Sequence, residues 1–322
     1  MDSNKKKLVV AFPALNDDRK RKIEDHVSAK GYQAVFCKDQ ETALREAVDA
    51  EIVFGMNAAL ATAGSGIKWV CTPSAGVDHF LNVLKGKDII LSNSSGAYGL
   101  TIAEHIVMVT LEAMRRRPEY VNLVRDRVWE HDLPISSIHD ARITFVGTGD
   151  IGKEAAIRLK AFGPKSMTGV NRRGRNPDQL FDRIVTLDEI EMVLPETDLL
   201  VLALPSTTQT MGLLTEERLR MLPTGTFLVN VGRGNVLDQD ALERILREGK
   251  LGGAALDVFE KEPLDPNSSL WDCPRLVLTT HVAGNWTLPY TVDRIVDMFL
   301  ADFDNFCENR PLNNRVDMTA GY

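Results

Sequence analysis

The stretch "RITFVGTGDIGKEAAIRLKAFG", residues 142–163, decides how this chain folds. Gly147, Gly149 and Gly152 stand in G-x-G-x-x-G spacing, directly after a strand pattern and at the start of a helical one. The first glycine permits a tight turn, the second lets backbone approach a pyrophosphate, and the third lets helix and strand pack closely. A helix beginning there, with Asp150 and Ile151 in its first turn, offers free N–H groups and a positive dipole end to phosphate. The same glycines also suit a strand-to-helix turn with no ligand. A following strand, "SMTGVN", ends about 20 residues on, as a dinucleotide site requires, and this favours the ligand.

That second strand ends in "TGVNRRGRNP", residues 168–177, with Asn171 where an acid would bond the ribose hydroxyls of NAD. No carboxylate stands there to repel a 2′-phosphate, and Arg172, Arg173 or Arg175 can clamp one through charge-assisted hydrogen bonds. The expected cofactor is therefore NADP(H), with NAD(H) open if the arginines form only a solvated loop.

Outward from this segment, short apolar runs alternate with amphipathic stretches in both directions. Toward the N-terminus come "KLVVAF", "YQAVFC", "EIVFG", "IKWVCT" and "DIILSN", with helices near 17–30 and 40–49. Toward the C-terminus come "DLLVLALP", "GTFLVNVG", "GGAALDVF" and "LVLTTH". Strands separated in this way imply right-handed crossovers and parallel sheets covered on both faces. At 322 residues two domains are expected. One spans 1–100, the other 101–287, and a closing amphipathic helix within 288–322 is expected to pack back on the first. Between the sheets a helical pattern starts at Gly99, with Ile102, Ile106, Val109 and Ala113 at steps of three and four. Pro118 should end or kink it.

Three polar residues follow late strands: Arg233, Glu262 and His281. Carboxyl ends of parallel strands are where open α/β sheets bind ligands, so all three are candidates for one crevice. Singly, each has an ordinary reading as a turn arginine, a solvated glutamate and a capping histidine.

Together with "GTGDIG", "ALPSTTQTMGLL", "LVNVGRGNVLDQDAL", "GAALDVFEKEPL", "HVAG" and "KWVCTPSAGVDHF", they resemble the D-2-hydroxyacid dehydrogenase family in order and spacing. The resemblance implies two doubly wound (Rossmann/flavodoxin-like) domains with the active site in the cleft between them. It implies reduction of a 2-keto acid to a D-2-hydroxy acid. Such chemistry needs a cation for the carboxylate, which Arg233 offers, and a proton donor titrating near neutrality, which suits His281. Glu262 beside it would favour the imidazolium and orient the ring. Glu262 also stands where formate dehydrogenases carry glutamine, which argues against formate. The resemblance further implies that backbone N–H groups at Ala75 and Gly76 meet the substrate carboxylate. Asp257 matches a residue near the nicotinamide amide, and Leu204, Pro205, Val231, Gly232 and Gly284 match backbone that lines the cofactor. Tyr98 and Trp286 are candidates for a pocket wall, or for packing alone. The chain departs from the family in having Thr280, not proline, before His281.

The 44% hydrophobic and 26% charged residues describe an ordinary globular chain, and the net charge of -7 gives no electrostatic footprint for nucleic acid. Cys37, Cys71, Cys273 and Cys307 are scattered, so neither a metal site nor a disulfide framework is expected. The opening "MDSNKKKLVVAF" is too short in apolar residues for a signal or a membrane span, and a cytoplasmic location is expected. The family commonly dimerises through its cofactor domain, which implies a homodimer. Some relatives act as NAD(H)-sensing corepressors, and a binding module without turnover is the alternative reading.

Overall fold

A computed structural model of the protein describes residues 5–322; the first four residues of the basic start lie outside the described residues. The strands are β1 (Lys6–Ala11), β2 (Tyr32–Phe36), β3 (Ile52–Gly55), β4 (Trp69–Cys71), β5 (Ile90–Ser92), β6 (Arg142–Val146), β7 (Ser166–Val170), β8 (Arg183–Val185), β9 (Leu199–Leu202), β10 (Phe227–Asn230), β11 (Gly253–Leu256) and β12 (Leu276–Leu278). The helices are α1 (Asp17–Ser28), α2 (Gln40–Glu46), α3 (Asp78–Leu84), α4 (Gly99–Met114), α5 (Arg117–Arg125), α6 (Asp150–Lys160), α7 (Glu216–Met221), α8 (Gln239–Arg247) and α9 (Pro289–Cys307). The chain forms two compact units. One comprises the described residues up to Tyr98 together with Trp286–Tyr322, and the other comprises Gly99–Asn285.

The smaller unit carries a parallel sheet in the order β2-β1-β3-β4-β5. Its strands are short β-branched and aromatic runs buried on both faces, such as Ile52, Val53 and Phe54. Helix α9 closes the sheet through aromatic packing: Phe299 stacks on Phe54 with ring centroids 4.4 Å apart and on Trp69 at 5.5 Å. Burying a side chain of this size stabilises by roughly 1.5–3 kcal/mol. A row of polar contacts then links α1 and the residues after it to α9 and its end: Arg19 to Asp293, Lys22 to Asp297, the His26 ring to Asp304 and Lys30 to Glu308. Most of these groups are partly exposed and such contacts contribute little each, so the stacked rings hold the helix and the polar contacts set its register.

The larger unit carries a parallel sheet in the order β12-β11-β10-β9-β6-β7-β8. The chain winds outward from β6 to β8 and then crosses to β9, so the strand order reverses between β6 and β9. Strand β8 is a three-residue edge piece with one fully buried side chain, and no apolar run announces it.

The break expected near Pro118 is present, and its geometry shows how it is made. Helix α4 ends at Met114, Arg116 turns left-handed at φ 56°, and Pro118 lies in the first turn of α5. A first-turn proline loses no helical hydrogen bond and its ring meets no carbonyl of a preceding turn. The break therefore falls just before the proline, and α5 stops at Arg125.

Candidate active site

The reversal point between β6 and β9 builds a cradle from backbone. Gly147 has φ +104°, and a Cβ there would lie 2.5 Å from the carbonyl oxygen of Ala203 at the end of β9. A Cβ on Gly152 would lie 2.0 Å from the Gly147 carbonyl oxygen, so only glycine lets α6 start this close to the turn. Gly149 differs: it is exposed, caps α6 without a side chain, and a Cβ would meet nothing within 4 Å. Open space thus lies over the N-terminus of an 11-residue helix whose first-turn N–H groups have no intrahelical acceptor. That arrangement fits a pyrophosphate. Asp150 and Ile151 are in this first turn, and the Asp150 carboxyl packs against the backbone of Gly99.

The loop after β7 is organised by Asn171. Its amide nitrogen donates to Thr148 Oγ1 and to the Arg175 carbonyl, both at 2.9 Å, and its amide oxygen accepts from the N–H groups of Arg173 and Arg175. The residue placed by sequence where an acid would meet a ribose is thereby spent on its own turn, with Arg172, Arg173 and Arg175 exposed around it. The neighbouring loops are tied as well. Thr210 Oγ1 donates to the Pro205 carbonyl at 2.6 Å beside the nine-tenths-buried Leu204. The Val231 N–H donates to Leu202 O, and that of Gly232 to Asn230 Oδ1.

Arg233, Glu262 and His281 follow β10, β11 and β12, three adjacent strands. The structure brings Glu262 and His281 into contact: Glu262 Oε2 lies 2.6 Å from His281 Nδ1, and Glu262 Oε1 accepts from the Phe259 N–H at 2.9 Å. A carboxylate on Nδ1 places a proton there and leaves Nε2 as the outward-facing nitrogen. The histidine side chain is 51% exposed, open to a substrate and to proton supply. Arg233 has extended backbone, with its guanidinium donating to the Gly232 carbonyl at 2.8 Å.

His281 has φ 55°, the left-handed region that costs a non-glycine residue on the order of 1–3 kcal/mol. Asp257 holds it there. The His281 N–H donates to the Asp257 carbonyl at 2.8 Å, and the Asp257 carboxylate accepts from the N–H groups of Val282 at 2.9 Å and Ala283 at 3.0 Å. Hydrogen bonds to a charged group are worth about 1.5–3 kcal/mol each, enough to offset the strain. Gly284 lies in the turn that follows, where Asn285 N–H donates to Val282 O. Sequence reasoning placed Asp257 at the cofactor; it missed Phe259 and Thr148, which act through a backbone N–H and a turn hydroxyl that no residue pattern marks.

In the smaller unit, Ala75 and Gly76 lie half-buried between β4 and α3. Asn93 Nδ2 donates to Ala75 O at 2.7 Å and Ser94 N–H to Ser74 O, so the loop is held through its carbonyls. The Tyr98 hydroxyl donates to the Pro73 carbonyl and accepts from Trp286 Nε1 at 2.7 Å, while Trp286 packs edge-on against Phe12. Burial pushes the Tyr98 hydroxyl up to about 12. Tyr98 and Trp286 therefore brace the loop carrying Ala75 and Gly76, with the tyrosine hydroxyl committed on both sides.

Residues 107–283 match the family described as D-isomer specific 2-hydroxyacid dehydrogenase, NAD binding domain. The chain belongs to the D-isomer specific 2-hydroxyacid dehydrogenase family. A solved family member from Aeromonas salmonicida is 30% identical, with a TM-score of 0.85 over 98% of this chain and 100% of that one. A glyoxylate/hydroxypyruvate reductase of Arabidopsis thaliana is 32% identical over 77% of this chain and 76% of its own. An NADPH-dependent glyoxylate/hydroxypyruvate reductase of Sinorhizobium meliloti, solved with NADP and sulfate, is 26% identical, with a TM-score of 0.82 over 99% and 100%. The protein is thus an oxidoreductase of this family, acting between 2-keto and 2-hydroxy acids with a nicotinamide dinucleotide, and its larger unit is the dinucleotide-binding one. Among the described residues, no helix is long and apolar enough to cross a membrane.

Proposed function

We propose that the protein is an NADPH-preferring reductase of small 2-keto acids such as glyoxylate or hydroxypyruvate, the substrates named for its Arabidopsis and Sinorhizobium relatives. The observation that carries this reading is the His281–Glu262 pair at 2.6 Å, on the same sheet edge as the pyrophosphate cradle. Bound NADPH supplies a hydride to the carbonyl carbon. His281 Nε2 gives the proton to the carbonyl oxygen, while Glu262 steadies the imidazolium and fixes its plane. Arg233 binds the substrate carboxylate with a planar fork and polarises the carbonyl. The loop of Ala75 and Gly76 offers backbone N–H donors of the kind a substrate carboxylate takes, which makes the smaller unit the substrate domain. Asn171 shapes the loop from which Arg172, Arg173 and Arg175 meet a 2′-phosphate, and the relative solved with NADP supports the same preference.

Oxidation of NADPH and of NADH at 340 nm against a panel from glyoxylate to aromatic 2-keto acids tests this reading. Fast turnover of the small acids with NADPH preferred is expected. A preference for NADH overturns the cofactor assignment, and turnover confined to bulky acids overturns the substrate assignment.

The protein also acts as a homodimer in this reading, in the cytoplasm, where its four free thiols stay reduced. The larger unit exposes Met108, Val124, Val128 and Trp129, the last at 96%, an apolar set suited to a second copy. Sedimentation as a 35.8 kDa species alone overturns the dimer.

A further inference from the structure

Behind the histidine loop lies a chain of side chains that no step above employs. Thr279, one residue past β12, donates its hydroxyl to Asp257 Oδ1 at 2.6 Å. His105, on the third turn's approach of α4, places Nε2 3.2 Å from the same hydroxyl and 3.9 Å from Asp257 Oδ1. Because the hydroxyl proton is committed to the carboxylate, the threonine oxygen accepts, and His105 Nε2 is the nitrogen that carries the hydrogen. Asp257 is 3% exposed and the His105 side chain 10%, so the chain is shielded from water. Burial lowers the His105 imidazole from its ordinary range, against a raising influence from Asp257 and Glu112, and a neutral ring with Nε2–H suits the donor role.

The carboxylate at the end of this chain is the group that accepts from Val282 and Ala283 and whose own carbonyl accepts from His281. Asp257 Oδ1 accepts from the Thr279 hydroxyl and the Val282 N–H while Oδ2 accepts from Ala283, a side-chain rotation that aims both oxygens at that backbone. The Thr279 hydroxyl selects it, and His105 selects the hydroxyl's direction. A carboxylate turned away would release a backbone held in the left-handed region at φ 55°, and the ring of His281 would leave the plane set by Glu262.

We infer that His105 and Thr279 are positioning residues for the proton donor, acting through Asp257 to hold the strained backbone of His281. This deepens the proposed reductase reading and rests on it for its activity readout. The strain itself, and the bonds that hold it, can be measured without turnover.

The test uses Thr279→Val, which keeps the shape and removes the hydroxyl, with Thr279→Ser as the conservative partner, and His105→Phe. Misplacing a catalytic group by a fraction of an ångström lowers turnover by roughly tenfold to a hundredfold. The expected result for Thr279→Val is a kcat loss of that size with KM for the keto acid and the affinity for NADPH within about twofold of wild type. Thr279→Ser restores kcat, and His105→Phe gives a smaller loss. Hydrogen exchange of the peptide spanning residues 280–284 should quicken in Thr279→Val and recover in Thr279→Ser. Unchanged exchange there, or a kcat loss matched by an equal loss of NADPH affinity, overturns the inference. A wild-type protein with no 2-keto acid turnover overturns the proposed function instead, and the exchange measurement then decides the positioning role alone.

Discussion

The loops after β7 and β12 leave the same edge of one sheet and are held in opposite ways. The first is tied by Asn171, a half-buried amide that bonds its own turn and presents exposed arginines. The second is tied by Asp257, a buried carboxylate that bonds three backbone groups' worth of strained chain around His281, counting its own carbonyl. Long charged side chains find a phosphate from a range of backbone positions, because their own rotamers absorb the error. A proton donor has no such reach, since transfer needs heavy atoms within hydrogen-bond distance of each other. The difference teaches that a loop for recognition tolerates a half-buried anchor within its own turn, whereas a loop for chemistry is tied from beneath.

Removing the donor gives the largest effect that this contrast predicts. His281→Ala should lower kcat by about 10²–10⁴-fold with NADPH affinity nearly unchanged, as read by steady-state kinetics and by quenching of cofactor fluorescence. An equal fall in affinity would erase the division of labour between the two loops. Arg233→Ala should lower kcat and also raise the keto acid KM, since it acts on both ground state and transition state. An unchanged KM would remove Arg233 from the carboxylate.

Changing the recognition loop should cost less and alter choice, not rate. Asn171→Asp places a negative charge beside the arginines and removes the donor to the Arg175 carbonyl. Selectivity for NADPH over NADH should fall by roughly tenfold, about 1.4 kcal/mol, with kcat for the favoured cofactor kept within a few-fold. Unaltered selectivity would mean that the arginines do not read a 2′-phosphate.

The smallest effect is expected at the opposite edge of the sheet, where Arg142 at the start of β6 forks onto Asp198 at 2.8 and 2.9 Å. The Arg142 guanidinium holds the Asp198 carboxyl below the usual carboxylate range. The folded state therefore binds this proton less readily than the unfolded chain does. The stabilisation is full above the ordinary carboxylate pKa and is lost as pH falls through the lower folded value. Partly exposed pairs contribute about 0–1 kcal/mol, so Asp198→Asn should lower Tm slightly near neutral pH and flatten its acid limb, leaving both loops' functions intact. A kinetic change in this variant would show that the two ends of the sheet are coupled.

The strands were legible because a strand buried on both faces is a continuous apolar run, as in "DLLVLALP" for β9. The turn at Gly147 was legible because a close approach to Ala203 admits no Cβ and leaves glycine as its mark. The edge strand β8 was not, since one buried side chain makes no pattern. Residue types pointed to Arg233, Glu262 and His281 because the chemistry needs a cation, a carboxylate and an imidazole. The bonds of Asn171 and Asp257 were hidden because an amide or a carboxylate reads alike whether it faces a ligand or its own backbone. The left-handed conformation of His281 left no trace either, as the residue type is set by proton transfer and not by φ.

The closing stack of Phe299 on Phe54 and Trp69 has a consequence for synthesis on the ribosome. Residues 5–98 emerge first, yet the rings that complete their core arrive only with Trp286–Tyr322. At roughly 5–20 residues per second, translating Gly99–Asn285 takes on the order of ten to forty seconds. The earlier-made sheet waits through that interval with Phe54 and Trp69 uncovered, and the continuous unit has all its residues before the first-made unit has its own.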